Sequence, residues 1–191
     1  MDRQNRQMRS VISQFNTREK GEELYIEGYF AVFNSNYELW DGASESIAPG
    51  AFSETLNEDI RALIDHETRL VLGRTKAGTL ELHEDSHGLW GKVRVNPNDQ
   101  DAMNLYERVK RGDVDQCSFG FDILEEETEN SDNNVHWTIK KVKLYEVSIV
   151  TFPAYKETSV SARKKDYEEI LKRKHDAWKK EMKEKLKGGK N

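Results

Sequence analysis

The chain is organised around the stretch Cys117-Ser118-Phe119-Gly120-Phe121. Its alternation predicts a β-strand in which Phe119 and Phe121 share one face, while Ser118 and Gly120 share the other. The glycine leaves room for another backbone to approach the serine. A serine held on a rigid strand is a candidate nucleophile, although half-buried strands commonly contain small polar residues.

Strand patterns surround this stretch on both sides. Alternating or β-rich segments predict strands at residues 24–33, 60–72, 79–82, 89–95 and 136–152. A short helix is expected at 51–56 and a longer one at 97–111, which Asn96 or Asn98 can cap and Gly112 can end. Residues 125–134 are predicted to form an acidic loop.

These elements indicate a mainly β fold with helices, of the α+β class. Most connections are too short for parallel crossovers, which favours a mainly antiparallel sheet or barrel. Residues 1–21 are polar and predict a flexible N-terminal arm or a first edge strand. Residues 22–162 are expected to form one domain, and 163–191 a basic amphipathic helical tail.

Charge is distributed unevenly along the chain. Residues 163–191 carry 12 Lys/Arg against 6 Asp/Glu, a net of +6, whereas the remainder carries 18 against 29, a net of -11. A basic helix with a thin apolar stripe is typical of a partner-binding element. Nucleic-acid binding is not expected, because the body is acidic and no basic stripe is interleaved with aromatic residues.

Cysteine content and hydropathy predict a soluble protein in a cytoplasm-like setting. Cys117 is the only cysteine, which excludes an internal disulfide. No apolar run approaches the roughly 18 residues that span a bilayer. Residues 1–10 are too polar for a signal peptide.

A serine nucleophile needs a base that takes its proton. His66 is the best candidate, because it lies between the apolar runs 63–64 and 70–72, which would hold it in a sheet. The alternative is an ordinary hydrogen-bonded strand histidine. His83 and His87 occur in H-E-D-S-H, but two metal-binding histidines at that spacing need a helix, and these flank a turn. No metal site is therefore expected.

The third group in such a site is an acid that orients the imidazole. Glu146 is flanked by apolar residues on both strand faces, and burying its carboxylate without a partner is costly. Its partner is either an arginine, Arg61 or Arg74, or the imidazole of His66. The competing acids are Asp65, Glu67 and Asp122.

Five segments, taken in order, resemble the prohead (capsid maturation) proteases of tailed bacteriophages. They are G-Y-F-A-V-F-N (28–34), I-A-P-G-A-F (47–52), D-H-E with L-G-R-T (65–67 and 72–75), C-S-F-G-F (117–121) and L-Y-E-V-S-I-V-T-F-P-A (144–154). The resemblance covers residues 24–162. It implies a serine endopeptidase, without metal or cofactor, whose antiparallel β-barrel is similar to that of the herpesvirus assembly proteases.

The resemblance also implies roles for individual residues. Ser118 matches the family's nucleophile, His66 its general base, and Glu146 the acidic position of E-V-S. Cys117 is a rival nucleophile, but strand alternation predicts that it points into the core. Backbone N–H groups would stabilise the oxyanion, and residues 73–74 are a candidate turn to supply them.

The family acts inside the immature shell, in the host cytoplasm. It cuts the scaffolding segment from the major capsid protein, and often cuts itself. The resemblance therefore implies the capsid protein and its scaffolding segment as partners, with a homo-oligomer as a further expectation and no membrane. The alternative is a noncatalytic assembly protein, in which the tail binds the scaffold and the β domain is a platform.

Overall fold

The computed structural model describes residues 7–12, 15–21, 23–131, 134–152 and 156–188. Only the backbone is described for residues 11–12, 156–162, 165–166 and 186–188. The chain divides into two compact units, Met1–Tyr155 and Lys156–Asn191. The second contains one long helix, α2 (Lys156–Gly188). No helix in the described ranges is long and apolar enough to cross a membrane.

A seven-stranded sheet carries the candidate site. Its members are β1 (Gln7–Ile12), β4 (Tyr37–Trp40), β5 (Ala43–Ile47), β6 (Arg61–Ile64), β7 (Glu67–Arg74), β10 (Gln116–Asn130) and β11 (Val135–Val150). The main order is β1-β10-β11-β5-β4, and β6 joins through β11 with β7 beside it. Both β5 and β6 run parallel to β11, whereas β10 is antiparallel to it.

A four-stranded antiparallel sheet forms the second layer of strands. Its order is β2 (Asn16–Lys20), β3 (Glu23–Val32), β9 (Gly88–Val95) and β8 (Leu80–Glu84). A 3-10 turn, Thr75–Ala77, precedes β8. One hydrophobic cluster includes Phe30 and Val93 from this sheet and Phe119, Phe121 and Ile149 from the larger one, so the two sheets share a core.

Among the described residues of the first unit there is one α-helix, α1 (Gln100–Arg111), and it packs its apolar stripe on that core. The stripe was predicted, and its members are buried: Ala102, Leu105, Tyr106 and Val109. The N-cap is Asp99, whose carboxylate accepts from two backbone N–H groups, rather than Asn96 or Asn98. Gly112 ends the helix with a φ of 86°, a left-handed conformation that glycine adopts readily.

The closed antiparallel barrel expected from the sequence is wrong. The strands form two open sheets, and the larger is mixed because β5 and β6 pair with β11 in parallel. Short connections made antiparallel neighbours the natural expectation, but these parallel partners are remote in sequence. Ser44, for example, lies beside His136.

Several local expectations also need correction. Residues 49–57 form successive turns instead of a helix at 51–56, and the acidic segment extends β10 to Asn130 instead of forming a loop from 125. The strand expected at 60–72 is divided by a turn between β6 and β7. Residues 7–12 and 16–20 are strands, and β1 is an edge strand. Helix α2 begins at Lys156 rather than at residue 163.

Asp59 forms ion pairs with both strands at the open end of the β6–β7 hairpin. Its carboxylate accepts hydrogen bonds from Arg74 Nε and Nη2 at 2.7 and 2.6 Å, and lies 3.3 Å from the guanidinium of Arg61. These two arginines face each other across the ladder. The Arg74 hydrogen bond, aided by the charge of Arg61, lowers the pKa of Asp59 to about 2.

We expect Asp59→Asn to lower the melting temperature at pH 7, and to lower it by much less at pH 2. The folded pKa lies below the value of about 3.9 for an unfolded aspartate. The ionised carboxylate therefore stabilises the fold fully above that value, and this contribution is lost as the pH falls towards 2. Melting curves by circular dichroism from pH 7 to pH 2 measure the effect, with Asp41→Asn in the β4–β5 turn as the control. A deficit that stays constant with pH would contradict this assignment.

Candidate active site

His66 lies in a tight turn rather than inside a strand. Ile64 of β6 pairs with Glu67 of β7, which leaves Asp65 and His66 as a two-residue turn. Both have positive φ, 49° and 61°. Two-residue hairpins favour this conformation, and aspartate and histidine tolerate it better than most residues. The expected strand position is wrong, but a tight turn also restricts where the imidazole can go.

The imidazole of His66 contacts a buried carboxylate. Nδ1 lies 2.8 Å from Glu146 Oε1, and Ser148 Oγ donates to Glu146 Oε2 at 2.6 Å. Glu146 is only 3% exposed. An ionised carboxylate can only accept, so Nδ1 carries the hydrogen, and in the neutral imidazole Nε2 then keeps its lone pair. This is the tautomer that a general base requires.

A bulge in β11 places Glu146 on the correct face. Glu146 pairs with Gly120, whereas Phe121 pairs with Leu144, so Tyr145 is an extra residue. The sequence predicted that Leu144 and Glu146 share a face. The bulge breaks this alternation, and Leu144 joins the hydrophobic core while Glu146 turns to His66.

Ser118 lies one strand away from this network. It is directly opposite Ser148 in the β10–β11 ladder, and paired residues of an antiparallel ladder lie on the same face. Ser118 is wholly buried, and its Oγ has no hydrogen-bond partner. His66 Nε2 is the other such atom, and these two are the only buried side-chain nitrogen or oxygen atoms without a partner among the residues described.

The competing acids and arginines have other partners. Asp65 accepts from Thr151, Asp122 accepts from Tyr145, Glu67 pairs with Arg69, and Arg61 and Arg74 pair with Asp59. The partner of Glu146 is therefore the imidazole of His66 and not one of the two arginines.

Two other sequence-based suggestions have clear outcomes. Cys117 points into the core, where its Sγ lies 3.2 Å from the carbonyl oxygen of Tyr29. Residues 73–74 belong to β7 and not to a free turn, and the Arg74 N–H donates to Thr79 Oγ1. The suggestion that this backbone stabilises an oxyanion is wrong for the Arg74 N–H.

The remaining histidines of the first unit make separate contacts. His83 packs against Trp90, His87 packs against Tyr29, and His136 hydrogen-bonds to Ser44 and Ser46. Within the described ranges, no three or more His, Cys, Asp or Glu side chains cluster closely enough to hold a metal ion.

Sequence reasoning missed the hydroxyl of Ser148. The signal was present, because Ser148 is two residues after Glu146 and therefore on the same strand face. Two neighbouring polar side chains on an otherwise apolar strand indicate a hydrogen bond between them. The Ser148 hydroxyl donates a hydrogen bond to Glu146 Oε2, the carboxylate oxygen that His66 does not contact.

Residues 13–173 match the model of the caudovirus prohead serine protease family. The chain belongs to this family. The match confirms the family that the five segments predicted, and it includes all three candidate site residues.

Individual relatives show how far this similarity extends. The chain is 28% identical over 149 residues to the prohead protease of Enterobacteria phage HK97, covering 75% of this chain and 62% of the relative. It thus spans less than two thirds of that protein. The solved structure of the bacteriophage T4 capsid assembly protease is 12% identical, with a TM-score of 0.45 over 76% of this chain and 99% of that one. This last likeness is a distant one.

Proposed function

We propose that this protein is a serine endopeptidase of phage capsid maturation. Ser118 is the nucleophile, His66 the general base, and Glu146 the acid that orients the imidazole. The observation that carries the proposal is the pair of unpartnered buried atoms, Ser118 Oγ and His66 Nε2. They are the two atoms between which a serine protease transfers a proton. Membership of a serine protease family supports the same assignment.

The hydrogen bonds of His66, Glu146 and Ser148 support the following course of peptide hydrolysis. Nε2 of His66 takes the proton of Ser118 as Oγ attacks the scissile carbonyl. The Glu146 carboxylate stabilises the imidazolium that forms, and Ser148 keeps this carboxylate in place. The imidazolium then protonates the leaving amine, and water hydrolyses the acyl-enzyme by the same route. The mechanism uses neither metal nor cofactor.

The burial of Ser118 adds a requirement to this mechanism. A scissile carbonyl carbon has to come into contact with Oγ, yet Ser118 has no solvent exposure in this conformation. The surface above Ser118 therefore has to open before a peptide can bind.

The proposed substrates follow from the family's description as prohead proteases. We propose that the enzyme cuts the scaffolding segment from the major capsid protein, and cuts itself, inside the immature shell in the host cytoplasm. Self-association as a homo-oligomer belongs to the same proposal. The second candidate, a noncatalytic scaffold-binding protein, does not require the contact between His66 and Glu146.

Ser118→Ala is the first variant that tests catalysis. Co-expressed with the capsid protein of the same phage, the wild type should shorten the capsid protein or itself, and the variant should shorten neither. Intact mass spectrometry measures both products and gives the cut sites. Cys117→Ala is the matched control, because it removes the neighbouring rival nucleophile and should retain cleavage. Identical full-length masses for wild type and Ser118→Ala in assembling shells would favour the noncatalytic alternative.

A second test concerns the base and its acid. Cleavage of a peptide that spans the mapped cut site should slow on acidification, because protonated His66 cannot accept the proton of Ser118. Glu146→Gln should lower kcat/KM by roughly 10²- to 10⁴-fold at neutral pH, because the imidazolium loses its counter-charge. A rate that is flat through the titration of histidine would contradict His66 as the base.

We propose that the tail helix docks on an acidic segment of the scaffold. Leu171, Trp178 and Met182 are exposed at a spacing that places them on one face of α2, and Lys172 and Lys179 lie beside that face. An apolar stripe flanked by lysines fits an amphipathic partner helix with acidic flanks.

Trp178→Ser tests this docking. It should reduce the amount of protease packaged per shell, whereas Lys180→Ser on the opposite face should not. The protease content of purified shells, measured by quantitative mass spectrometry in the Ser118→Ala background, separates docking from cleavage. Equal packaging of both variants would contradict docking through the apolar stripe.

A further inference from the structure

We propose that Asp65 is a positioning residue for the base. Its carboxylate binds Thr151, the residue that follows β11, and so holds the turn on which His66 lies. This attachment determines the position of His66 Nε2 relative to Ser118 Oγ. The inference rests on the proposed function, since it concerns the same reaction. Asp65 acts through the backbone of the turn and does not take part in the chemistry.

The geometry of the attachment is well defined. The backbone N–H of Asp65 donates to the carbonyl oxygen of Ile149 at 3.0 Å. One carboxylate oxygen accepts from the backbone N–H of Thr151 at 2.7 Å, and the other accepts from the Thr151 hydroxyl at 3.2 Å. Three hydrogen bonds therefore join this single residue to the last part of β11 and the residue that follows it.

The turn needs an attachment of this kind. Asp65 and His66 both have positive φ, which is unfavourable for residues other than glycine. The ladder between β6 and β11 ends at the pair Ile64 and Ile149, so the turn beyond it is held by the β6–β7 pairing at its base and by the contacts of its own two residues.

The attachment links the base and the acid through one strand. Strand β11 carries Glu146, which binds the imidazole of His66, and leads into Thr151, which binds Asp65. The turn is thus held to the same segment at three residues, Glu146 before Ser148 and Ile149 and Thr151 after it. Proton transfer depends steeply on such placement, because a displacement of about 1 Å can cost on the order of 10²-fold in rate.

Two substitutions at residue 65 separate the attachment from the shape of the turn. Asp65→Gly removes the carboxylate but suits positive φ better than aspartate does. Asp65→Asn keeps an oxygen that can accept from the Thr151 N–H, and asparagine also tolerates positive φ. If Asp65 is needed only for the conformation of the turn, Asp65→Gly should behave like the wild type. If the contact with Thr151 matters, only Asp65→Asn should behave like the wild type.

The experiment combines kinetics with a readout that needs no activity. On the full chain, kcat and KM are measured with the mapped peptide, and the Nδ1–H resonance of His66 is followed by NMR, assigned with His66→Gln. We expect Asp65→Gly to lower kcat by roughly 10- to 100-fold with KM nearly unchanged, and to shift or broaden the resonance. Asp65→Asn should stay close to the wild type in both.

The outcomes distinguish this inference from the proposed function. If Asp65→Gly matches the wild type in both readouts, or if Asp65→Asn is as damaged as Asp65→Gly, the positioning role is wrong. If the wild type cleaves nothing but the resonance responds to glycine and not to asparagine, the proposed function fails while the positioning role stands. Should Asp65→Gly not fold, Thr151→Ala removes only the hydroxyl contact and should give a smaller change in kcat and in the resonance. If Thr151→Ala leaves both unchanged, the proposal is overturned.

Discussion

The structure around the site depends on the burial of one carboxylate. Glu146 is 3% exposed, and a buried carboxylate without partners is strongly destabilising. The fold supplies a partner for each oxygen, the Nδ1–H of His66 and the hydroxyl of Ser148. A group that is costly to bury therefore holds the imidazole in one orientation and one tautomer. Stability and the proposed chemistry have the same requirement at this position.

Three features of the larger sheet make this arrangement available. The parallel pairing of β6 with β11 brings a distant hairpin beside Glu146. The bulge at Tyr145 turns Glu146 out of the core while Leu144 stays in it. The positive-φ turn projects the imidazole from the end of the hairpin. Such features are common where a strand has to aim a side chain, and they concentrate at functional sites.

Part of this could be predicted from the sequence because it is local. Alternation in residues 117–121 indicated that Ser118 and Cys117 lie on opposite faces, and the helical spacing of Ala102, Leu105, Tyr106 and Val109 identified the buried stripe of α1. The cost of burying Glu146 indicated that it has a partner. The resemblance of five segments to the prohead proteases then identified His66 as that partner. Residue spacing alone left the choice between His66 and an arginine open.

The rest depends on contacts between remote residues or on single backbone angles. Parallel pairing between β5 or β6 and β11 joins segments that no local pattern relates, so a closed antiparallel barrel was expected. One inserted residue such as Tyr145 is invisible to an alternation pattern on a strand that is apolar on both faces. A D-H-E run flanked by apolar residues has the composition of a strand, and only its φ values reveal a turn.

The most direct test of the central claim is to trap the nucleophile during assembly. A peptidyl phosphonate that matches the mapped cut site forms a stable bond with an activated serine, and mass spectrometry of assembling proheads locates the adduct. We expect it on Ser118 in the wild type, and at a much lower level in His66→Gln, because the hydroxyl is unreactive without its base. An adduct on Cys117 or Ser148, or one on Ser118 that forms equally fast in His66→Gln, would contradict the account.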